Sequence, residues 1–303
     1  MSVAMPELPE VQALAERLHE SLAGSAFAGA VPYAFSALKT FDPPPESLVG
    51  RVLGGVGRRG KFLVFEFAVA EGPGDREEAG RFLAVPTVGS GPRLLLHLSQ
   101  AGRPEFEPAP KATRPRGAVV RFRFEGRPAV LVKEYGTERK AGWWVLAPGD
   151  PGPLAALGPE PDSEEFARLV RREDDRRRIH TMLRDQRTVA GIGRGYADDI
   201  LHRAELSPYA TLAALSEDQR EVFLDSVHAV LEEALEVERR RTGGLPPKLG
   251  EHFTVHARSG TPCPRCGEDL RRVSYESHEV TYCPHCQTGG KILADRRMSR
   301  LLK

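Results

Sequence analysis

Two Cys-x-x-Cys pairs near the C-terminal end constrain the fold of this chain most tightly. Residues 267–282 separate Cys263 and Cys266 from Cys283 and Cys286, and these four are all the cysteines among 303 residues. Two such pairs at this spacing predict one tetrahedral four-thiolate zinc site at the base of a β-hairpin. Four thiolates leave no open position for a substrate, so we expect the Zn²⁺ to be structural. Reduced cysteines without a metal are the alternative.

The charge balance gives no sign of a polyanionic partner. Lys and Arg number 43 against 42 Asp and Glu, a net charge of +1, so any nucleic-acid site must come from local clustering. No stretch approaches the roughly 18 apolar residues of a membrane span, and the start lacks a signal-peptide pattern. We therefore expect a soluble, cytoplasmic protein without a membrane partner.

The chain upstream of the cysteines divides into a strand-rich part and a helix-rich part. Apolar residues recur at spacings of three and four from Pro9 to Leu22, which predicts a helix. Residues 50–147 carry β-rich runs such as KFLVFEF and AVVRFRF, and a Gly/Pro-rich insertion at 68–93 is expected to be exposed. A Pro/Gly-rich linker at 148–162 precedes several helical segments. We predict an α+β fold with domains at 5–147, 163–247 and 248–303.

A glycine-rich loop lies between two of the predicted helices. Gly191, Gly193 and Gly195 occur within DQRTVAGIGRGYADD, and such loops expose backbone N–H groups that attract anions. The surrounding arginines are 171, 172, 176, 177, 178, 184, 187 and 194, against acids at 173, 174, 175 and 185. This arrangement suits a phosphate backbone, and a helical hairpin with a solvated basic face is the alternative reading.

The stretch MPELPE at residues 5–10 raises a question about where the active chain begins. A proline inside a chain has an inert amide nitrogen, whereas an N-terminal proline carries a nucleophilic secondary amine. A free α-amino group has a pKa of about 7.7–8.0 and is partly neutral near pH 7. Our hypothesis is that the active protein begins at Pro6, with Met1–Ala4 a misassigned start or a trimmed segment. A rigid lead-in to the helix is the alternative role for this stretch.

Several motifs follow one another along the chain. They are MPELPEV from residue 5, RRGKFL at 58–63, HLSQAG at 97–102, LGPEP at 157–161, DQRTVAGIGRGYADD at 185–199 and the two cysteine pairs. Motifs in this order resemble those of the formamidopyrimidine-DNA glycosylase and endonuclease VIII (Fpg/Nei) family of bifunctional DNA glycosylases. The resemblance implies an N-terminal β-sandwich flanked by helices, a helix–two-turn–helix domain and a C-terminal zinc-ribbon finger. It also implies that DNA lies in a cleft with the damaged base flipped out.

The resemblance assigns catalytic roles to residues near the start of the chain. By this reading Pro6 is the Schiff-base nucleophile and Glu7 protonates the deoxyribose. Glu10 matches a family acid that supports the site in contact with DNA. Lys61 matches a lysine that contacts DNA and donates a proton in β-elimination, and a solvated hairpin charge is its alternative.

Further residues match DNA contacts of the family, some with altered side chains. His97 corresponds to a phosphate contact, or to a buried structural histidine, and Gln100 to the residue that fills the emptied base position, or to a plain turn residue. Arg194 stands where the family usually has an asparagine that grips phosphate. His278 stands where the family has an arginine that assists δ-elimination, and residues 134–142 replace the usual wedge loop.

Taken together, the resemblance predicts a base-excision-repair DNA glycosylase with AP-lyase activity. Gln100 and the short segment between Gly243 and Val255 favour oxidised pyrimidines over 8-oxoguanine. The expected partner is double-stranded DNA with oxidised bases or abasic sites, bound by a monomer associated with the nucleoid. The alternatives are a catalytically silent, zinc-containing protein that binds damaged DNA and a zinc-ribbon protein that binds RNA or ribosomes.

Overall fold

The computed structural model describes most of the chain in two compact units. The described ranges are 5–68, 91–110, 113–135, 140–172, 175–275 and 278–294. One unit comprises Met1–Leu157 with Leu235–Leu249, and the other comprises Gly158–Ala234 with Gly250–Lys303. The division into three domains stays a prediction. Most of the expected insertion at 68–93 and the centre of the 134–142 loop lie outside the described residues.

The first unit is an antiparallel β-sandwich that begins with helix α1 (Leu8–Leu22). Its strands are β1 (Phe27–Pro32), β2 (Leu53–Arg59), β3 (Phe62–Phe67), β4 (Arg93–His97), β5 (Gly102–Glu107), β6 (Ala118–Phe124), β7 (Ala129–Glu134) and β8 (Gly142–Leu146). One sheet has the order β1-β6-β7-β5 and the other has the order β2-β3-β4-β8. The predicted strand-rich character of this part of the chain is confirmed.

Aromatic side chains from both sheets form the core of the sandwich. The ring of Phe122 in β6 lies 6.2 Å from that of Phe65 in β3 and 5.4 Å from that of Trp143 in β8. Leu14 and Leu18 of α1 are buried in the same cluster. Alternation along a strand explains the pattern, because successive side chains point to opposite faces and one face is apolar. The predicted periodicity of α1 therefore reflects its packing on the sandwich.

One boundary differs from the expectation drawn from the sequence. The sequence pattern places Arg93 in the exposed insertion at 68–93. In the structure, Arg93 begins β4 and is fully buried. Its Nη2 donates to the backbone oxygen of Asp150 at 2.5 Å, so a buried guanidinium finds an acceptor from a later turn. A charged residue beside glycines is typical of a loop, and no local pattern reveals this distant partner.

The second unit is helical and ends in a β-hairpin. Its elements are α2 (Glu164–Arg171), α3 (Ile179–Arg184), α4 (Arg194–Arg203), most of α5 (Glu217–Arg239), β9 (Arg271–Tyr275), β10 (His278–Tyr282) and α6 (Pro284–Thr288). Ser163 caps α2, since its Oγ accepts the N–H of Phe166 at 3.2 Å. The sandwich, the helical hairpin and the cysteine-bearing hairpin together confirm the α+β expectation. Within the described ranges, no helix has the length and apolar character needed to cross a bilayer.

Candidate active site and metal centre

The N-terminal end of α1 holds the residues that the sequence singled out for catalysis. Pro6, Glu7 and Glu10 are all buried. Glu7 is the N-cap residue, and its N–H donates to Oε2 of Glu10 at 2.9 Å. Pro9 in the first turn has no N–H to lose, which favours helix initiation here. Two carboxylates therefore stand one helical turn apart, directly after Pro6.

Lys61 reaches the same place from the turn between β2 and β3. Gly60 adopts a left-handed conformation with φ of 56°, which allows the tight reversal. The Nζ of Lys61 lies 3.8 Å from the Sδ of Met5, and the lysine side chain is buried. The structure thus brings the lysine beside the residue that precedes Pro6, which joins two motifs more than fifty positions apart.

A buried pair that the sequence did not reveal ties this turn to the helix. The Nε of Arg58 donates to Oε1 of Gln12 at 3.0 Å, and its Nη1 donates to the backbone oxygen of Gly60 at 3.1 Å. Both side chains are buried. The guanidinium therefore connects α1 to the turn that carries Lys61. A glutamine on the otherwise apolar face of α1 was the only signal of this contact.

His97 lies at the end of β4 beside the same turn. It pairs across the sheet with Phe62, and the two ring centroids are 4.7 Å apart. Burial lowers the pKa of His97 to about 4, and the positive charge of Lys61 adds to this effect. The imidazole is therefore neutral near pH 7.

Gln100 is exposed on a tight turn three residues beyond His97. Ser99 has a left-handed φ of 53°, and the N–H of Gly102 donates to the backbone oxygen of Leu98 at 2.9 Å. A Cβ at position 102 would lie 2.4 Å from that oxygen, so only glycine fits. The turn presents the glutamine side chain to solvent.

Arg194 lies in the second unit as the first residue of α4, and its side chain is exposed. Gln186 braces the loop before it, accepting the N–H of Gly191 at 2.9 Å and donating to the backbone oxygen of Ile192 at 2.7 Å. The glycine-rich loop is thus a fixed two-turn connection between α3 and α4.

Two arginines of the surrounding cluster are neutralised within the second unit. Arg171 pairs with Glu221 at 2.8 Å, and Arg177 pairs with Asp175 at 2.7 Å and with Asp185 at 3.0 Å. The positive surface that the sequence suggested is therefore smaller than a count of arginines indicates. Glu221 lies 50 positions from Arg171, whereas the two aspartates lie within eight positions of Arg177.

Asp199 of α4 fastens the segment that leads to the cysteines. Its carboxylate accepts the N–H groups of Thr254 at 2.7 Å, Val255 at 2.9 Å and His256 at 3.1 Å. Burial raises the pKa of Asp199 to about 6, against the three amides that favour its charged form. Three consecutive amides on one carboxylate fix the course of this segment along α4.

The neighbouring Asp198 makes a second set of contacts. Its oxygens lie 3.1 Å from Nε2 of His180 and 2.7 Å from Nδ1 of His256, and Oδ2 accepts the N–H of Thr281 in β10 at 3.1 Å. Burial alone would raise the pKa of Asp198, but the two histidines hold it below its usual value. Both aspartates belong to the motif DQRTVAGIGRGYADD, but the motif gives no indication of their hydrogen-bond partners.

The four cysteines meet in space as their spacing predicted, with their sulfur atoms all within 4.8 Å of one another. The Sγ atoms of Cys266 and Cys283 are 3.5 Å apart, and those of Cys263 and Cys286 are 4.0 Å apart. Sulfurs bound to zinc at about 2.3 Å in a tetrahedron lie about 3.8 Å apart, so the donor set fits Zn²⁺.

One imidazole lies against the cysteine cluster. The Nε2 of His202 in α4 is 3.2 Å from the Sγ of Cys263, where it can donate to a thiolate. His278 begins β10 and pairs with Tyr275, but its side chain lies outside the described residues.

Comparisons with known proteins agree with this architecture. The family model for the formamidopyrimidine-DNA glycosylase N-terminal domain matches residues 5–144, and that for the formamidopyrimidine-DNA glycosylase H2TH domain matches residues 157–243. A formamidopyrimidine-DNA glycosylase of Thermus thermophilus is 31% identical over 94% of this chain and 100% of its own length. An uncharacterized formamidopyrimidine-DNA glycosylase-like protein of Mycobacterium tuberculosis is 45% identical over 51% of this chain and 99% of its own length.

Solved structures show the same fold. The Lactococcus lactis formamidopyrimidine-DNA glycosylase, non-covalently bound to DNA containing an AP site, superposes with a TM-score of 0.75 at 23% identity. That match covers 93% of this chain and 99% of the other. The matched models, the full-length relative and the architecture lead to one conclusion: the chain belongs to the Fpg/Nei family of DNA glycosylases.

Proposed function

We propose that this protein excises damaged bases and then cleaves the abasic site, using the nitrogen of Pro6 as a nucleophile. One observation carries the proposal. The stretch Met5–Glu10 is largely buried at the start of α1 and the Nζ of Lys61 lies 3.8 Å from the Met5 sulfur, so the Pro6 nitrogen, two carboxylates and a lysine lie close together.

The amine has to be free for this chemistry. If the chain begins at Pro6, its nitrogen is a secondary amine with a reference pKa of about 7.7–8.0. The nearby Lys61 ammonium and the N-terminal end of α1 both disfavour its protonated form. A usable fraction is then neutral at physiological pH.

The proposed reaction begins with excision of the base. The Pro6 nitrogen attacks C1′ of the damaged nucleotide, and the bond from C1′ to the base breaks with its electron pair left on the base, which takes a proton from water. Glu7 takes the proton that the amine gives up and returns it to the ring oxygen O4′ as the C1′–O4′ bond opens to an iminium ion. Water then takes a proton from C2′ of the iminium, the C3′–O bond breaks, and the Lys61 ammonium donates a proton to the departing 3′ phosphate.

Duplex DNA with oxidised bases or abasic sites is the proposed substrate, bound by a monomer. Arg194 contacts phosphate from the start of α4, and neutral His97 donates a hydrogen bond to the backbone. Gln100 enters the space that the flipped base leaves, which offsets part of the unstacking cost of a few kcal/mol. Its amide side chain and the short segment after Gly243 favour oxidised pyrimidines over 8-oxoguanine.

The four cysteines would hold one structural zinc ion. A closed four-thiolate site stabilises the fold of the hairpin and supplies no reactive position. The ion contributes folding energy to the segment that Asp198 and Asp199 fasten to α4.

A damage-binding protein without catalysis is the second candidate, and the contact at Met5 favours it. With Met5 in place, the Pro6 nitrogen is an amide and the lysine ammonium contacts the methionine sulfur. A chain that retains Met5 would bind damaged DNA without forming an imine.

A cleavage panel separates the two candidates. Protein with a verified Pro6 terminus is incubated with duplexes carrying an oxidised pyrimidine, 8-oxoguanine or an abasic site, with and without borohydride. The proposal predicts a covalent adduct on all cleaved duplexes and faster excision of the pyrimidine. Tight binding to every duplex without an adduct would support the non-catalytic protein.

A further inference from the structure

Arg103 is a fully buried arginine that lies between several parts of the proposed site. It is the second residue of β5, immediately after the glycine that closes the Gln100 turn. A buried guanidinium is stable only when most of its five N–H donors find acceptors. Its partners therefore indicate which segments it holds together.

Two of these partners are carbonyl groups of the turn itself. The Nη1 of Arg103 donates to the backbone oxygen of Gln100 at 3.2 Å and to that of Gly102 at 2.8 Å. The backbone of the residue proposed to fill the emptied base position is thus fixed by a charged donor. Such hydrogen bonds are stronger than those between neutral groups.

A third partner belongs to the segment that follows α5. The Nε of Arg103 donates to the backbone oxygen of Pro246 at 2.9 Å, while the N–H of Leu245 donates to the backbone oxygen of Pro104 at 3.0 Å. A Cβ at Gly244 would lie 1.9 Å from the same Pro104 oxygen. The beginning of the short segment after Gly243 is therefore pressed against β5.

The positive charge of Arg103 also interacts electrostatically with Glu10 at the N-terminal end of α1. Burial lowers the pKa of Arg103 to about 10, and the Glu10 carboxylate acts against this effect. Glu10 is itself fully buried and accepts the Glu7 N–H at 2.9 Å. The guanidinium that contacts the Gln100 turn is therefore attracted to the buried Glu10 carboxylate, which in turn accepts the N–H of Glu7, the residue that follows Pro6.

We propose that Arg103 is a positioning residue that holds the Gln100 turn in register with the Glu10 end of α1. The side chain that enters the DNA stack and the amine that attacks C1′ then sit at a fixed separation. In this role Arg103 acts through the segments that it holds and not on the reacting atoms. This inference rests on the proposed function of the Pro6 site.

The test compares Arg103→Met with a matched control on the same sheet. Arg121 in β6 is also buried, and its Nε forms an ion pair with Glu107 at a distance of 2.6 Å. Glu107 has no role in the proposed site. Two quantities are measured for each folded variant with a verified Pro6 terminus. One is the single-turnover rate constant for borohydride trapping on an abasic duplex at saturating protein, and the other is the Kd for a duplex with a tetrahydrofuran abasic analogue.

We expect Arg103→Met to lower the trapping rate constant about 30-fold with the Kd within about threefold of the parent, because misplacement of reacting groups by about 1 Å costs up to 100-fold in rate. Arg121→Met should change both quantities by less than about threefold. The proposal would be overturned if folded Arg103→Met kept the trapping rate constant of the parent protein. It would also be overturned if Arg121→Met lowered this rate constant as much as Arg103→Met does.

A second variant decides the matter if Arg103→Met fails to fold. Arg103→Lys keeps the charge near Glu10 and loses the planar fork that reaches three carbonyls. We expect a rate constant about fivefold below the parent with an unchanged Kd, and parental kinetics in this variant would refute a positioning role. If the parent protein itself forms no adduct, the proposed function fails, which is a different outcome from parental kinetics in the variants.

Discussion

At the residue scale, two buried glutamates one turn apart have different proposed roles. Glu10 is fully buried and its Oε2 accepts the Glu7 N–H. Glu7 is also buried and caps the helix directly after Pro6, and its carboxyl is the one that we propose exchanges a proton with the sugar. Position next to Pro6, rather than burial, distinguishes the proposed reacting acid from the supporting one.

Replacing Glu7 should separate base excision from abasic-site cleavage. We expect Glu7→Gln to slow excision of an oxidised pyrimidine by about 100-fold, since it removes general acid catalysis of ring opening. A preformed abasic sugar is already partly ring-opened, so trapping on it should fall by less than about tenfold. Single-turnover assays on both duplexes measure the two rates.

Glu20→Gln, at an exposed position of the same helix, is the control and should leave both rates at the parental level. Equal losses on the two substrates in Glu7→Gln would contradict the assigned role.

Salt dependence should distinguish the two proposed phosphate contacts. Arg194 carries a full charge, so Arg194→Gln should reduce the slope of log Kd against log salt by about one. His97 is neutral near pH 7 because burial lowers its pKa to about 4. His97→Asn should weaken binding with an unchanged slope. Fluorescence anisotropy over a salt series measures both, and a slope change of similar size in His97→Asn would show that the imidazole binds as a cation.

The sequence indicates candidate reacting residues more readily than the residues that hold them. Pro6, Glu7 and Lys61 stand in recognisable motifs because the chemistry proposed for them requires those residue types. Arg58 and Arg103 act through partners 46 and 143 positions away, and separations of this size leave no local pattern. Such contacts depend on the packing of the whole sandwich.

At the element scale, α4 owes its position to a glycine inside the helix. A Cβ at Gly195 would lie 2.2 Å from the ring of Phe253, so the aromatic side chain packs directly on the helix backbone. The ring of Phe253 is also 5.0 Å from that of Tyr196. The absence of a side chain at position 195 thus brings the segment after residue 250 against α4.

Adding one methyl group at this position should destabilise the second unit. In an exposed helix, replacing glycine with alanine stabilises by about 1 kcal/mol. Here we expect Gly195→Ala to lower the free energy of unfolding by about 1–3 kcal/mol through overpacking. The double variant Gly195→Ala/Phe253→Leu should recover part of the loss, because the smaller side chain makes room for the methyl group.

Thermal and chemical unfolding of the three proteins provide the comparison. A more stable Gly195→Ala variant would show that the contact with Phe253 is loose.

Element boundaries were predictable where a strand was regular and buried, and less so elsewhere. The runs KFLVFEF and AVVRFRF became β3 and β6. β1 (FAGAVP) and β5 (GRPEFE) were not singled out, since glycine and proline are depleted from strands and reduced their apolar pattern. Pairing with regular neighbours forms these strands despite weak local preference.

At the scale of the whole molecule, zinc should control the integrity of the C-terminal hairpin and with it DNA affinity. We expect Cys266→Ser to lose the metal, because a site with three thiolates binds zinc more weakly, and to weaken DNA binding by more than tenfold, since zinc binding supplies folding energy. Metal content and Kd for an abasic-analogue duplex are the measurements.

His285 lies between two of the cysteines and is exposed, which makes it a suitable control. His285→Ala should retain one zinc per chain and parental affinity. Full zinc content in Cys266→Ser would contradict the four-thiolate site.

The order of motifs along the chain predicted the family and the overall architecture, since each motif marks a different structural element. The ion pair between Arg171 and Glu221, which are 50 positions apart, could not be foreseen in the same way. Local charge counts overestimate a basic surface when acids from other elements compensate it.

The most direct test of the central claim identifies the atom that reacts. Protein with a verified Pro6 terminus is trapped with borohydride on an abasic duplex, digested with protease and nuclease, and analysed by tandem mass spectrometry. If the Pro6 nitrogen is the nucleophile, we expect a reduced sugar adduct on the α-nitrogen of Pro6, and this adduct should disappear when the terminus is acetylated beforehand. An adduct on Lys61 or another lysine, or undiminished trapping after acetylation, would contradict it.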